Sequence, residues 1–126
     1  MDDNSVVAFK DDAESKRFLD DSEAQNWLSN TIPISEIKLP ANEYSAIFYP
    51  GGHGPLIGLP DDEHSKALIT AFYESKRVVS AVCHAPCVFS DVKLSNGKYL
   101  LEGRKVTSFS NEEEEQAGMT DNVPWL

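Results

Sequence analysis

The sequence predicts an α/β fold, in which the strands of a mainly parallel sheet alternate with helices. Residues 44–49 and 78–83 are short runs rich in aromatic and β-branched side chains, which is typical of buried strands. Between them, residues 61–76 place Leu68 and Phe72 four positions apart, on one apolar face of a helix. A strand, a helix and a second strand in this order form the repeating unit of a parallel sheet.

Composition limits the classes of function. The chain has 126 residues, of which 40% are hydrophobic, so we expect a single domain over 1–126. Its formal net charge of −10 disfavours nucleic acid and anionic membranes as partners, and a solvated acidic surface explains the charge. No apolar run reaches the ~20 residues that span a bilayer, and the polar start has no signal-peptide character. With only two cysteines, we expect a reducing, cytoplasmic location.

The first 21 residues are polar and acidic. Residues 1–17 contain repeated aspartate pairs and one weak apolar cluster, and we predict a loosely ordered arm there. A short helix then opens at Asp21 and carries Trp27 and Leu28 on its apolar face. It ends at Asn30, before Pro33.

A glycine-rich loop follows the first predicted strand. Gly51, Gly52 and Gly54 surround His53, and this backbone can turn tightly and offer its N–H groups to a ligand. An ordinary tight turn would have the same composition. His53 either lines a site in this loop or faces solvent, and the sequence leaves both open.

The second predicted strand ends on Cys83, and His84 and Pro86 follow at once. A strand that ends on a nucleophile and turns sharply into a helix exposes that side chain at the sheet edge, and the start of the helix favours a thiolate. The alternative is a small buried cysteine. His84 is suited to proton transfer, but neighbours on a sharp turn diverge, so it need not contact the sulfur.

The sequence gives no sign of a metal or another cofactor. Cys83 and Cys87 lie four residues apart with no second pair of ligands, which disfavours a structural zinc site. Cys87 is most simply a core residue, and a resolving thiol for an oxidised Cys83 is the alternative.

A third segment that can take part in chemistry lies near the carboxyl end. Residues 99–101 and 105–109 read as short extended pieces, and Asn111 then opens a helix with glutamates at 112–115. Most of these glutamates would be solvated, whereas one could orient an imidazole. Residues 51–54, 83–84 and 110–114 all follow predicted strands, so we expect them to meet at the carboxyl edge of the sheet.

Taken together, these motifs resemble the DJ-1/PfpI superfamily, of the class I glutamine amidotransferase-like fold, and within it the Hsp31-like branch of glyoxalase III enzymes and stress chaperones. The likeness covers most of residues 18–126. It implies a flavodoxin-like parallel sheet with helices on both faces, here incomplete. The segments that carry the resemblance are 30–36, 43–54, 81–86 and 101–111.

The resemblance implies a site and a reaction. The family nucleophile falls on Cys83, its histidine on His84 and its third acid on Glu114, with Glu113 and Glu115 as alternatives if the register shifts by one. The loop of Gly51, Gly52 and His53, with the His84 backbone, would form the substrate and oxyanion pocket. The implied reaction is the cofactor-free, lyase-type conversion of methylglyoxal, an aldehyde, to lactate through a hemithioacetal on sulfur.

The chain also departs from the family pattern. Members begin with a strand and a loop bearing a glutamate that contacts the nucleophile, and nothing ahead of residue 18 matches these, since Glu14 lies in a polar segment. The last strands and helix of the family are unmatched as well. We therefore expect a shortened relative, impaired as an enzyme, or one that relies on a homodimer or partner chain for the missing strands. A holdase chaperone or redox-sensing module is the alternative function, and amidase or peptidase activity is less favoured.

Overall fold

The structure is a computed structural model that describes residues 10–123. It divides the chain into two compact units, residues 1–33 and residues 34–126. The single domain predicted over 1–126 stays a prediction. No helix among the described residues is long and apolar enough to cross a membrane.

The first unit contains two short helices, α1 (Ala13–Asp20) and α2 (Ser22–Ser29). The Asp12 side chain accepts a hydrogen bond from the Ser15 N–H, and Asp21 caps α2 in the same way. The helix predicted from Asp21 is confirmed as α2. The loosely ordered arm predicted over 1–17 is wrong for residues 13–17, because the Asp12 cap starts a helix there, and residues 1–9 lie outside the described part of the chain.

The second unit contains the predicted strand–helix–strand unit. Strands β1 (Ala46–Tyr49) and β2 (Val78–Ala81) pair in parallel, with Ala46 opposite Val78 and Tyr49 opposite Ala81. Helix α3 (Glu63–Glu74) connects them, and Asp62 caps it by accepting from the Ser65 N–H. The α/β prediction is confirmed, with a sheet of two strands among the described residues.

Helix α3 and the segment after β2 cover one face of the sheet. The core there consists of buried apolar side chains: Tyr49, Ile69, Ala85, Val88, Val92 and Leu100. The Tyr49 hydroxyl shares a buried hydrogen bond of 2.8 Å with Ser65 Oγ. Burial raises the pKa of Tyr49, although that hydrogen bond opposes the effect. Because Tyr49 and Ala81 are paired at the ends of the two strands, the loops that follow both strands start at the same edge of the sheet.

The other face of the sheet is open in the described chain. Phe48 is 58% exposed and Val78 is 61% exposed, and Val82, just beyond β2, is 51% exposed. Successive strand residues point to opposite faces, and Phe48 pairs with Ser80 between the two valines, so these apolar side chains share one side.

The extended pieces predicted near the carboxyl end are wrong. Residues 105–109 form no strand, and residues 99–101 contribute only an isolated antiparallel bridge between Lys93 and Tyr99. A strand needs a ladder of partners, whereas the 105–109 segment bonds at its end to the single carbonyl of Cys83. Helix α4 (Asn111–Gln116) then begins where the sequence predicts, with Ser110 as its cap.

Candidate active site

Cys83 lies on a sharp turn just after β2. The strand ends at Ala81, and a 3₁₀ helix (Ala85–Phe89) begins two residues after Cys83. Cys83 itself has a φ of +61°, in the left-handed region that non-glycine residues rarely adopt. Its side chain is exposed. The turn has the form of a nucleophile elbow, although the helix that follows it is a short 3₁₀ helix.

The glycine loop lies directly against this turn. A Cβ atom on Gly51 would lie 2.5 Å from Cys83 Cβ and 3.0 Å from the Val82 carbonyl oxygen, so only glycine fits without displacement. Gly52 has a φ of +83°, which also favours glycine. Neither the Gly52 N–H nor the His84 N–H donates a hydrogen bond to another described residue. These two backbone donors are therefore available to a ligand.

His84 approaches the sulfur despite being adjacent to it in the chain. Its Nδ1 atom lies 3.2 Å from Cys83 Sγ. The imidazole stacks on Phe109, with ring centroids 4.5 Å apart, and the Phe109 N–H donates to the Cys83 carbonyl at 2.9 Å. The Ser108 hydroxyl donates to the same carbonyl. The 108–109 segment thus holds the backbone of Cys83 and the ring of His84 together, and the expected divergence of the two side chains does not occur.

Glu114 binds the far side of the imidazole. Its Oε2 atom lies 2.5 Å from His84 Nε2, and the residue is only 2% exposed. Glu113 is engaged elsewhere, because its carboxylate accepts from the Ser110 N–H in the capping box of α4. Glu115 is exposed. Of the three glutamates considered from the sequence, Glu114 is the one that the structure brings to His84.

His53 binds the second oxygen of the same carboxylate. Its Nε2 atom lies 2.7 Å from Glu114 Oε1, and its ring centroid is 4.3 Å from that of His84. Burial by itself raises the pKa of Glu114, but the hydrogen bonds to the imidazoles of His53 and His84 outweigh it and hold that pKa below its usual value. From the sequence His53 could line a site or face solvent, and the structure brings it to Glu114, 61 residues away in the chain.

The arrangement is suited to activating a thiol. When His84 donates its Nε2 proton to Glu114, its Nδ1 atom has a free lone pair that faces Cys83. The imidazole can then take the thiol proton, and the Glu114 carboxylate stabilises the imidazolium that forms. The same residues also offer a set of metal ligands. The ligand atoms of His53, His84 and Glu114 lie within 4.8 Å of one another, a spacing that could hold a metal ion.

An apolar cavity of about 630 Å³ adjoins the site from the side away from the sulfur. His84 and Glu114 line it, together with Cys87 and Phe109, whereas Cys83 does not. The Cys87 thiol donates a weak hydrogen bond to the Pro55 carbonyl, and burial raises the pKa of that thiol. The two thiols therefore differ in environment, since Cys87 is half-buried and Cys83 is exposed.

Comparisons with known proteins identify relatives of this chain. Residues 14–121 match the DJ-1/PfpI family. The chain is 35% identical to Glyoxalase 3 of Candida albicans over 123 residues, which is 95% of this chain and 51% of that protein. It is 40% identical to the Protein/nucleic acid deglycase HchA of Escherichia coli over 83 residues, covering 66% of this chain and 29% of that protein.

Solved structures show the same relationship. The crystal structure of glyoxalase III from Candida albicans aligns with a TM-score of 0.81 at 35% identity, covering 96% of this chain and 51% of that chain. The Rapid Encystment Protein 24 kDa of Francisella tularensis also aligns with a TM-score of 0.81, at 31% identity, covering 91% of this chain and 50% of that one. The flavodoxin-like fold expected from the resemblance is thus confirmed. The chain spans about half the length of Candida Glyoxalase 3.

Proposed function

We infer the function of this chain from the DJ-1/PfpI family, to which it belongs, and propose that it catalyses a cofactor-free, cysteine-dependent glyoxalase III reaction, the conversion of methylglyoxal to lactate. The observation that carries the proposal is the continuous contact from Cys83 Sγ through both nitrogens of His84 to Glu114, at 3.2 Å and 2.5 Å. The relatives named glyoxalase 3 and glyoxalase III support the choice of substrate.

The first step would be addition of sulfur to the aldehyde. His84 Nδ1 takes the thiol proton, and the Cys83 thiolate attacks the aldehyde carbon, which forms a C–S bond and converts the carbonyl oxygen into an oxyanion. The unpaired N–H groups of Gly52 and His84 are the donors we assign to that oxyanion. The His84 imidazolium then returns its proton to the oxygen, which gives a neutral hemithioacetal.

The second step would move hydrogen between the two carbons. A base removes the proton from the carbon bonded to sulfur, and the neighbouring ketone oxygen takes up a proton, so an enediol forms. The carbon that carried the ketone then takes up a proton, and the hydroxyl on the carbon bonded to sulfur loses its proton and becomes a carbonyl. The product is a lactoyl thioester on Cys83. Water cleaves its C–S bond, which releases lactate and the free thiol, so no oxidant or reductant is consumed. His84 is the base that we assign, because Glu114 keeps it oriented toward the sulfur.

The test is lactate formation from methylglyoxal without glutathione. We expect Cys83→Ala to abolish turnover, and Glu114→Gln to reduce it about 10²-fold or more, the usual contribution of a general acid–base pair. Cys87→Ser is the matched control, because it removes the second thiol without touching the His84–Glu114 contact. Equal lactate formation by wild type and Cys83→Ala would contradict the proposal.

A second candidate function rests on the open face of the sheet. Phe48, Val78 and Val82 present apolar side chains that are each more than half exposed. A holdase chaperone binds unfolded clients through such surfaces, and a second copy or partner chain could cover the same face. Suppression of client aggregation that persists in Cys83→Ala and is lost in Phe48→Ser would favour this function over the enzyme.

A further inference from the structure

The Glu114 carboxylate has one more imidazole partner than a cysteine–histidine–acid arrangement requires. Orienting His84 uses one carboxylate oxygen, at 2.5 Å, yet the other oxygen is bound by His53 at 2.7 Å. His53 comes from the glycine loop after β1, whereas His84 follows β2 and Glu114 lies on α4. Three separate segments thus bring two imidazoles and a carboxylate to one point.

We propose that His53, His84 and Glu114 form a binding site for a divalent transition-metal ion of the Zn²⁺ class. Two imidazoles and one carboxylate are a known ligand set for Zn²⁺, with the fourth position left to water. The three ligand atoms already lie within 4.8 Å of one another. An ion between them would replace the two hydrogen bonds and would require the carboxylate to withdraw slightly to make room.

The surroundings support the site. His84 is 8% exposed and Glu114 is 2% exposed, and the His84 ring is held against Phe109. The His53 side chain is 32% exposed, so it provides a path by which an ion can enter. Ligands that are held in place by packing lose little freedom when they bind an ion, and such support is typical of metal sites.

Metal binding and thiol activation would exclude each other. A neutral imidazole carries one proton, and to bind an ion through Nε2 it must carry that proton on Nδ1. The proton therefore passes from Nε2 to Nδ1 by exchange with solvent. The Nδ1 atom of His84 would then donate toward Cys83 Sγ, 3.2 Å away, and could not accept the thiol proton. This consequence rests on the proposed function, whereas the metal site itself does not.

The direct test is titration of the full chain with Zn²⁺, against a chelating dye, and with Co²⁺, followed by visible absorption. We expect one ion per chain. His53→Gln should weaken metal binding by 10-fold or more. Removal of a residue that only supports a metal ligand already costs about 10–100-fold in affinity, and His53 is a ligand itself. His64→Gln is the matched control, because His64 is an exposed histidine at the start of α3.

The competing arrangement is an ion held by Cys83 and His84. Under our proposal, Cys83→Ala keeps its affinity and the Co²⁺ spectrum lacks a thiolate charge-transfer band. Loss of binding in Cys83→Ala, a thiolate band, or equal affinity in His53→Gln and wild type would each overturn the proposal, as would the absence of binding to wild type. Because these readouts do not use turnover, they decide the metal site even if the chain makes no lactate.

Where lactate is formed, Zn²⁺ should inhibit it in proportion to occupancy. The comparison is made within each protein, with and without the ion. Wild type and His64→Gln should lose turnover at the same Zn²⁺ concentration that fills the site, and His53→Gln should need at least 10-fold more, in line with its weaker binding. Inhibition of His53→Gln at the wild-type concentration would contradict the exclusion between metal binding and thiol activation.

Discussion

The close approach of the glycine loop to the nucleophile turn gives a sharp prediction about Gly51. Replacing Gly51 by alanine would place a Cβ atom 2.5 Å from Cys83 Cβ and 3.0 Å from the Val82 carbonyl oxygen. Carbon atoms in contact prefer about 3.5–4.0 Å, so the two segments would have to separate by about 1 Å. Cys83 cannot move freely, because its carbonyl is bound by both Phe109 and Ser108.

We expect Gly51→Ala to lower the free energy of unfolding by about 1–3 kcal/mol, the usual cost of overpacking. Left-handed backbone strain does not add to this figure, since Gly51 is not among the residues with positive φ, and the reduced entropy of the unfolded alanine chain offsets only about 0.4–1 kcal/mol of it. The cost should come almost entirely from the two contacts. Urea unfolding followed by circular dichroism measures it.

A double-mutant cycle with Cys83→Gly isolates the main contact. Removing the Cys83 side chain eliminates the 2.5 Å overlap and leaves only the 3.0 Å approach to the Val82 oxygen. Gly51→Ala should therefore cost at least ~1 kcal/mol less in the Cys83→Gly background, because residues in contact give non-additive changes. Strictly additive free energies, or a Gly51→Ala variant as stable as wild type, would refute the packing that we derive for this site.

Four further measurements test the core and the second thiol. Ile69→Ala, at a fully buried position of α3, should cost about 2–5 kcal/mol in urea unfolding. Tyr49→Phe should cost about 1–3 kcal/mol, because it leaves the buried Ser65 hydroxyl without its partner, and a Tyr49→Phe, Ser65→Ala pair should recover part of that loss. Burial raises the pKa of Tyr49, so the Tyr49 hydroxyl loses its proton in the unfolded chain at a lower pH than in the folded chain. The stability of the wild type should therefore fall as the pH rises past the ordinary tyrosine range. Tyr49→Phe should lack that part of the fall. Burial also raises the pKa of Cys87, so iodoacetamide should alkylate Cys87 more slowly than the exposed Cys83 at neutral pH. Peptide mass spectrometry distinguishes the two sites. Faster alkylation of Cys87 than of Cys83 would contradict the burial of Cys87.

Local patterns were sufficient to predict the central unit of the fold. The strand–helix–strand order of β1, α3 and β2 follows from short β-rich runs on either side of a helical period, and each element forms close to its predicted bounds. The turn at Cys83 could be located for the same reason, because proline cannot donate to a strand ladder and the strand therefore ends before Pro86.

Two features that depend on particular distant contacts could not be predicted. Residues 105–109 have strand-like composition, but they meet the backbone of Cys83 at their end and find no ladder of partners. His53 could have faced solvent or a ligand, and only the folded chain shows that it binds Glu114. In both cases the outcome depends on which segment arrives from elsewhere in the chain, and local periodicity contains no information on that.

The choice of Glu114 among adjacent glutamates has a local cause that the sequence did contain. Ser110 caps α4, and the capping box requires the residue three positions later, Glu113, to fold back toward the Ser110 N–H. Successive helical residues are rotated by about 100° from one another, so once Glu113 is fixed at the cap, the next side chain turns to a different face of the helix. On that face Glu114 meets His84 and His53. The cap therefore does more than start a helix, because it sets the rotation that brings a single carboxylate, out of an acidic run, into a buried site.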